Sequence, residues 1–207
     1  MVGVVPAGAD LNQAVGVGMR VVAGKFGGRR LRAVPGRETR PTSDRVREAL
    51  FSIVGDRVVG ARVLDLFAGT GALAIEALSR GAASAVLVEQ APQAVAVIRG
   101  NLEALGLERL ATVRRTRVET YLRGQRDGPF DLVFLDPPYA IGVGLLAGLL
   151  ARLAQGRLAP GALVALESSW RAEPPPWPPG MVPEEPRRYG DTALHLAGFR
   201  PEPPPSG

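Results

Sequence analysis

Apolar residues recur along the chain in two rhythms, and the change from one to the other organises the sequence. Residues 1–18 (MVGVVPAGADLNQAVGVG) hold neither rhythm, so an extension without fixed structure, or a start placed upstream of Met19, is expected there. Residues 19–34 carry two short apolar runs around Gly27-Gly28, which predicts a hairpin. Pro35-Gly36 breaks it, and the hairpin unit is taken as 19–41. Thr42, Ser43 and Asp44 offer N-caps, and Val46, Leu50, Ile53 and Val54 share a helical face up to Gly55. Arg45, Arg47 and Glu48 fall off that face.

Strands and helices then alternate. Arg62–Phe67 reads as a buried strand, Thr70–Arg80 as a helix, and Ala85–Glu89 as a strand. A helix opens at Pro92 with Val95, Ile98, Leu102 and Leu105 on one face. A strand at 111–115, a helix at 117–124, a strand at Phe130–Leu135, a helix at Gly144–Gln155 and a strand at Ala162–Glu167 follow. Such alternation predicts a mostly parallel sheet between two helix layers, joined by right-handed crossovers. Residues 171–186 are Pro-rich and predict a stiff surface loop, Arg187–Gly198 a last strand, and 200–207 a Pro-rich tail. A sheet finished by a hairpin favours the methyltransferase version of the doubly wound fold. By likeness to that version, the expected architecture is a seven-stranded Rossmann-like sheet over 42–199.

Composition narrows the chemistry. The chain has no Cys and one His, His195, so thiolate metal sites and a Ser-His-Asp triad are excluded and no metal is expected. His195 reads as a core or rim residue, and Trp170 and Trp177 as loop packing. Net charge is +5, and Lys25 is the only lysine among 25 basic residues. Guanidinium forks suit phosphate and stack on bases, so an anionic partner is expected. No apolar run reaches the ~18 residues of a membrane span and no leader is evident, which places the chain in the cytoplasm.

Two segments carry candidate chemistry. Asp65-Leu66-Phe67-Ala68-Gly69-Thr70-Gly71 joins a strand to a helix through a Gly-x-Gly turn, where backbone can approach a ligand closely. Eighteen residues after Gly71, Glu89 ends the next strand, where a carboxylate can accept two ribose hydroxyls. Gly69 to Ala74 also satisfies a dinucleotide fingerprint, so a nicotinamide enzyme competes. Asp65 weighs against it: an acid suits the ammonium of S-adenosylmethionine and not a pyrophosphate. The second segment, Asp136-Pro137-Pro138-Tyr139, follows a strand and should face the same crevice. Its Asp136 and the Pro137 carbonyl can accept the two hydrogens of an exocyclic amine, the prolines leaving their carbonyls free, while Tyr139 stacks on the base. A nicotinamide oxidoreductase has no use for that tetrapeptide.

The string Arg40-Pro41-Thr42-Ser43-Asp44-Arg45-Val46-Arg47-Glu48-Ala49-Leu50-Phe51 goes further. With Arg20–Gly24, Gly28–Leu31 and Tyr189–Thr192, it resembles the RsmD family of 16S ribosomal RNA guanine-N2 methyltransferases, over about Met19 to Phe199. The resemblance implies methyl transfer from S-adenosylmethionine to guanine 966 within an assembling small ribosomal subunit; nothing in the sequence demands a dimer, and a monomer is expected. It places the cofactor on Asp65, Phe67, Ala68, Gly69, Thr70, Gly71, Glu89, Gln90, Arg117, Val118 and Asp136. Arg117 departs from the family's usual acidic or Asn residue at the adenine, which shifts that contact to the backbone of Val118. Lys25, Arg29, Arg30, Arg32, Arg37, Arg40, Arg45 and Arg47 would grip RNA phosphates. Other amine substrates, adenine in DNA or a protein glutamine, would use the same tetrapeptide. An RNA-binding assembly factor without turnover is the alternative of another class.

Overall fold

The computed structural model describes residues 19–35, 42–124, 127–138 and 141–201. The expectations for residues 1–18, Arg37, Arg40, Tyr139 and the end of the tail lie outside the described residues. Helix α1 spans Thr42–Val54, and strand β1 follows at Arg62–Leu66. Then come α2 (Ala72–Ser79), β2 (Ser84–Glu89), α3 (Pro92–Leu105), β3 (Ala111–Arg115), α4 (Val118–Gly124), β4 (Phe130–Leu135) and α5 (Val143–Ala154). The chain ends in β5 (Leu158–Ser169), β6 (Met181–Pro183), β7 (Arg187–Tyr189) and β8 (Thr192–Phe199).

The strands form one sheet of order β3-β2-β1-β4-β5-β8-β6, with β7 also on β8. β1 pairs in parallel with both β2 and β4, so the strand order reverses there and opens a crevice beyond their carboxyl ends. Strand residues alternate between two cores. Val63, Leu87, Leu132, Phe134 and Leu163 meet α1, α2 and α3, whereas Leu64, Leu66, Val88, Val133 and Leu135 meet α4 and α5. Burial on both faces explains why these strands read as nearly continuous apolar runs. Phe51 of α1 and Phe134 of β4 tie one layer to the sheet, their ring centroids 5.5 Å apart.

Three expectations change. The Pro-rich stretch 171–186 holds a strand, β6, which pairs with β8 at the sheet's edge, where a proline is tolerated. The single last strand is two, β7 and β8, folded back at Gly190-Asp191, and the sheet has eight strands instead of seven. The hairpin over 19–34 is short: around a 3-10 turn at Gly24–Phe26, Arg20 bridges Arg30, Val21 N–H donates to the Arg29 carbonyl at 2.9 Å and Leu31 N–H to the Met19 carbonyl at 2.8 Å. Its remaining backbone N–H groups include several held by side chains of the helices. Buried Glu76 of α2 accepts from Val22 and Ala23 at 2.7 and 3.0 Å. Ser79 Oγ accepts from Phe26 at 3.0 Å, and Asn101 Oδ1 of α3 from Arg32 at 2.7 Å. The segment is thus a strap bound to two helices. Gly24 permits the approach: with φ +80°, a Cβ there would stand 2.0 Å from the Ser79 carbonyl oxygen.

The strap also accounts for Arg47. Only 4% of it is exposed, because the strap covers the flank of α1 on which it lies. Its guanidinium donates to the Arg20 carbonyl and to Asp44 at 3.1 Å, and lies 3.9 Å from Glu76. A buried cation so engaged cannot grip a phosphate, which removes Arg47 from the expected RNA contacts.

Candidate active site

The crevice at the β1–β4 reversal is a cleft of about 680 Å³, within the range of small-molecule sites. Its floor is the turn after β1. Phe67 adopts φ 64°, a strained conformation for a residue with a side chain, and Gly69 and Gly71 follow at 56° and 80°. The turn is fixed from several sides. Ala68 N–H donates to the Val88 carbonyl at 3.0 Å, and Gly69 N–H to Glu89 Oε2 at 2.9 Å. The other Glu89 oxygen accepts from Ala91 N–H at 2.8 Å, so the carboxylate expected at a ribose also pins the loop. Met19 of the strap reaches the same turn, its sulfur accepting from the Thr70 hydroxyl at 3.3 Å.

Asp65 is 1% exposed beneath this turn and accepts from Ala74 N–H at 3.1 Å. Burial raises its carboxyl from 3.8 to about 8; the Ala74 hydrogen bond opposes this, and the charges of Asp136 and Glu89 add to it. Asp136 follows β4 directly, its N–H 3.5 Å from the Leu66 carbonyl of β1, and it is exposed at the mouth. Pro137 is buried behind it. The Pro138 carbonyl is not free as expected, because it accepts from Ile141 N–H at 2.9 Å.

One cleft therefore brings together Asp65, Phe67, Ala68, Gly69, Thr70, Glu89, Gln90, Arg117, Val118, Asp136, Pro137 and Pro138. Gly71 lies beneath it as the N-cap of α2, where a Cβ would press on Leu87 at 3.1 Å. Residues that the sequence did not single out also line it: Met19, Val34, Val46, Leu50, Ala72, Leu73, Thr116, Glu119 and Glu167. Glu167, at the carboxyl end of β5, obeys the same strand-end rule as Asp136, and that rule is the signal that could have found it. Glu119 is an acid next to Val118, on the side where Arg117 breaks the expected pattern. Met19 had no signal, since its partner Thr70 lies 51 positions on. Lys25, Arg29, Arg30, Arg32 and Arg45 are exposed, with Arg29 resting on α3 through the Ala104 carbonyl at 3.3 Å.

Five carboxyl groups line the cleft against two cations, Arg47 and Arg117. A dinucleotide pyrophosphate would be repelled there, whereas a ligand with an ammonium and a sulfonium finds complementary charge. The buried, raised Asp65 fits the ammonium, and Glu89 fits a ribose diol. Among the described residues, no group of acids or histidines is placed to hold a metal ion.

Comparison with known proteins agrees. The family described as conserved hypothetical protein 95 matches residues 19–198. Ribosomal RNA small subunit methyltransferase D of Escherichia coli strain K12 is 39% identical over 151 residues, spanning 72% of this chain and 74% of that protein. Among solved structures, YhhF of Escherichia coli superposes with a TM-score of 0.80 at 34% identity, covering 89% of this chain and 99% of that one. A hypothetical protein of Thermus thermophilus gives a TM-score of 0.71 at 35% identity, covering 86% and 98%. The chain belongs to the RsmD family of class I S-adenosylmethionine-dependent methyltransferases.

Proposed function

We propose that the protein methylates the exocyclic N2 of guanine 966 in 16S ribosomal RNA, acting in the cytoplasm as a monomer on the assembling small subunit. The observation that carries this reading is Asp136, set at the mouth of the cleft that also holds Asp65, Gly69 and Glu89. Bound S-adenosylmethionine supplies an electrophilic methyl group on a sulfonium. Asp65 would hold the ammonium, Glu89 the ribose, and the backbone at Val118 the adenine. A guanine turned out of its stack presents its amine to Asp136.

The amine nitrogen is a poor nucleophile because its lone pair is spread into the ring. Asp136 and the Pro137 carbonyl accept its two hydrogens, which makes the nitrogen more tetrahedral and directs the lone pair at the methyl carbon. Tyr139 packs on the base face. As the N–C bond forms and the S–C bond breaks, the surplus proton passes through Asp136 to water, to which that residue is exposed. The catalytic work is alignment and placed charge. Support for RNA comes from the exposed cations of the strap and from the small-subunit relative. Among the described residues no helix is long and apolar enough to cross a membrane.

The test is incubation with labelled S-adenosylmethionine and small subunits lacking the modification, followed by nucleoside mapping. N2-methylguanosine at one site is expected. Label in DNA or protein with none in RNA would overturn the substrate.

A further inference from the structure

Outside the cleft, the carboxyl end of the sheet carries an aromatic feature that methyl transfer does not use. The last pair of β5 with β4 is Leu166 with Leu135, but β5 continues to Ser169 against β8 alone. Trp170 follows and is held open there. Its N–H donates to the Asp191 carbonyl at 2.8 Å, and 39% of the residue stays exposed. The Arg188 guanidinium lies 5.2 Å from the centre of its indole, and Arg188 Nε donates to the Gly190 carbonyl at 2.9 Å. Trp177, by contrast, packs on the core beside α5. The expectation that both tryptophans are loop packing therefore holds for one of them only.

Register fixes the height of this feature. Arg187 and Arg188 pair with Leu194 and Ala193, which pair in turn with Glu167 and Ser168 of β5. Glu167 lines the cleft, so the two arginines stand level with its mouth. Acids share this edge: Asp191, whose carbonyl holds Trp170, and Glu185, just before Pro186, are exposed as well, while Glu184 lies further back, its N–H donating to the Leu196 carbonyl at 2.8 Å. Arg171, next in the chain, is exposed. A tryptophan that merely sealed a loop would bury its ring. This one is braced by a cation and presented at the rim.

We infer that Trp170, backed by Arg188, is a stacking platform for an unpaired RNA base next to the target nucleotide, with Arg171 and Arg187 on the adjoining phosphates. The inference rests on the reading of the substrate as RNA. It adds a second contact region, on the opposite end of the sheet from the strap, so that the RNA spans the cleft mouth.

The chain has two tryptophans, and Trp177→Phe leaves Trp170 as the sole indole reporter. Titration of that variant with a single-stranded oligoribonucleotide, a guanine flanked by adenines, should quench its fluorescence saturably, and added salt should weaken the effect. In the full chain, Trp170→Ala should raise KM for unmethylated subunits about tenfold. Trp170→Phe should recover most of that, with kcat and the KM for S-adenosylmethionine unchanged in both. Fluorescence that stays constant while labelled RNA binds by anisotropy would overturn the platform, as would an unchanged KM in Trp170→Ala. A defect seen on whole subunits and absent on naked RNA would assign Trp170 to a ribosomal protein and overturn it too. Absence of any RNA methylation by the parent chain would instead sink the functional reading.

Discussion

Asp65→Asn tests the electrostatics of the cleft most directly, because a buried carboxyl there must choose between a proton and a cationic ligand. The folded chain raises this group from 3.8 to about 8, through burial above all. Folding therefore favours the protonated form. The contribution to stability is fully present below pH 4 and is lost as pH climbs to about 8. At ~1.4 kcal/mol per pH unit, the loss is on the order of 4 kcal/mol by pH 7. An ammonium placed against Asp65 reverses the preference. With the group raised to about 8, most molecules carry the proton at pH 7, so cofactor binding should expel the larger part of one proton there. Calorimetry at pH 7 in two buffers of different ionisation heat reads that number. Asp65→Asn should release no proton and bind more weakly, by about ten- to a hundredfold, yet gain stability without cofactor at pH 8. Methylthioadenosine, which lacks the amino-acid end, should release none from either protein. Identical heats in both buffers for the parent, or equal release by the variant, would refute the reasoning.

Three other outcomes follow from the same geometry. Asp136→Ala should cut methyl transfer at least a hundredfold while cofactor affinity stays within a few-fold, since the residue faces the amine more than the cofactor; equal loss of both would remove its role. Glu76→Ala strands two strap N–H groups and the partner of Arg80, which sits 2.7 Å away, and should cost about 3–5 kcal/mol. That is a fall in Tm of about 10 °C, and a drop under about 3 °C would show that the strap is not clamped there. Replacing Arg29, Arg30 and Arg32 together by Ala should weaken RNA binding and reduce its salt slope by about two to three, and an unchanged slope would exclude the strap from the RNA contact.

The parallel sheet was readable because its strands are buried on both faces, and a run such as Phe130–Leu135 has few other homes. The two chemical segments were readable for the same reason: each sits directly after such a strand, where doubly wound sheets keep their ligands. What escaped the sequence depended on partners far along the chain. Helical periodicity finds one buried face, and α1 has two, one on the sheet and one under the strap, so Arg47 read as a surface residue. The strap took its acceptors from Glu76, Ser79 and Asn101, side chains with no sequence mark linking them to residues 22–32. β6 was hidden by its composition, because proline counts against a strand until its place at an edge is known. Trp170 and Trp177 are indistinguishable as letters; only the exposure of one and the packing of the other separate them.

The strap has a consequence for the order of events during synthesis. Its residues leave the ribosome early, yet Val22 and Ala23 wait for a carboxylate 54 and 53 positions later, and Arg32 for an amide 69 positions later. Until α2 and α3 have emerged, Met19 has no turn to rest on and that wall of the cleft does not exist. Strand β8, made after β6, then fills the place between β5 and β6. A nascent chain thus offers the complete cleft only after the strap, the turn after β1, Asp136 and Glu167 have come together, and cofactor capture marks that point.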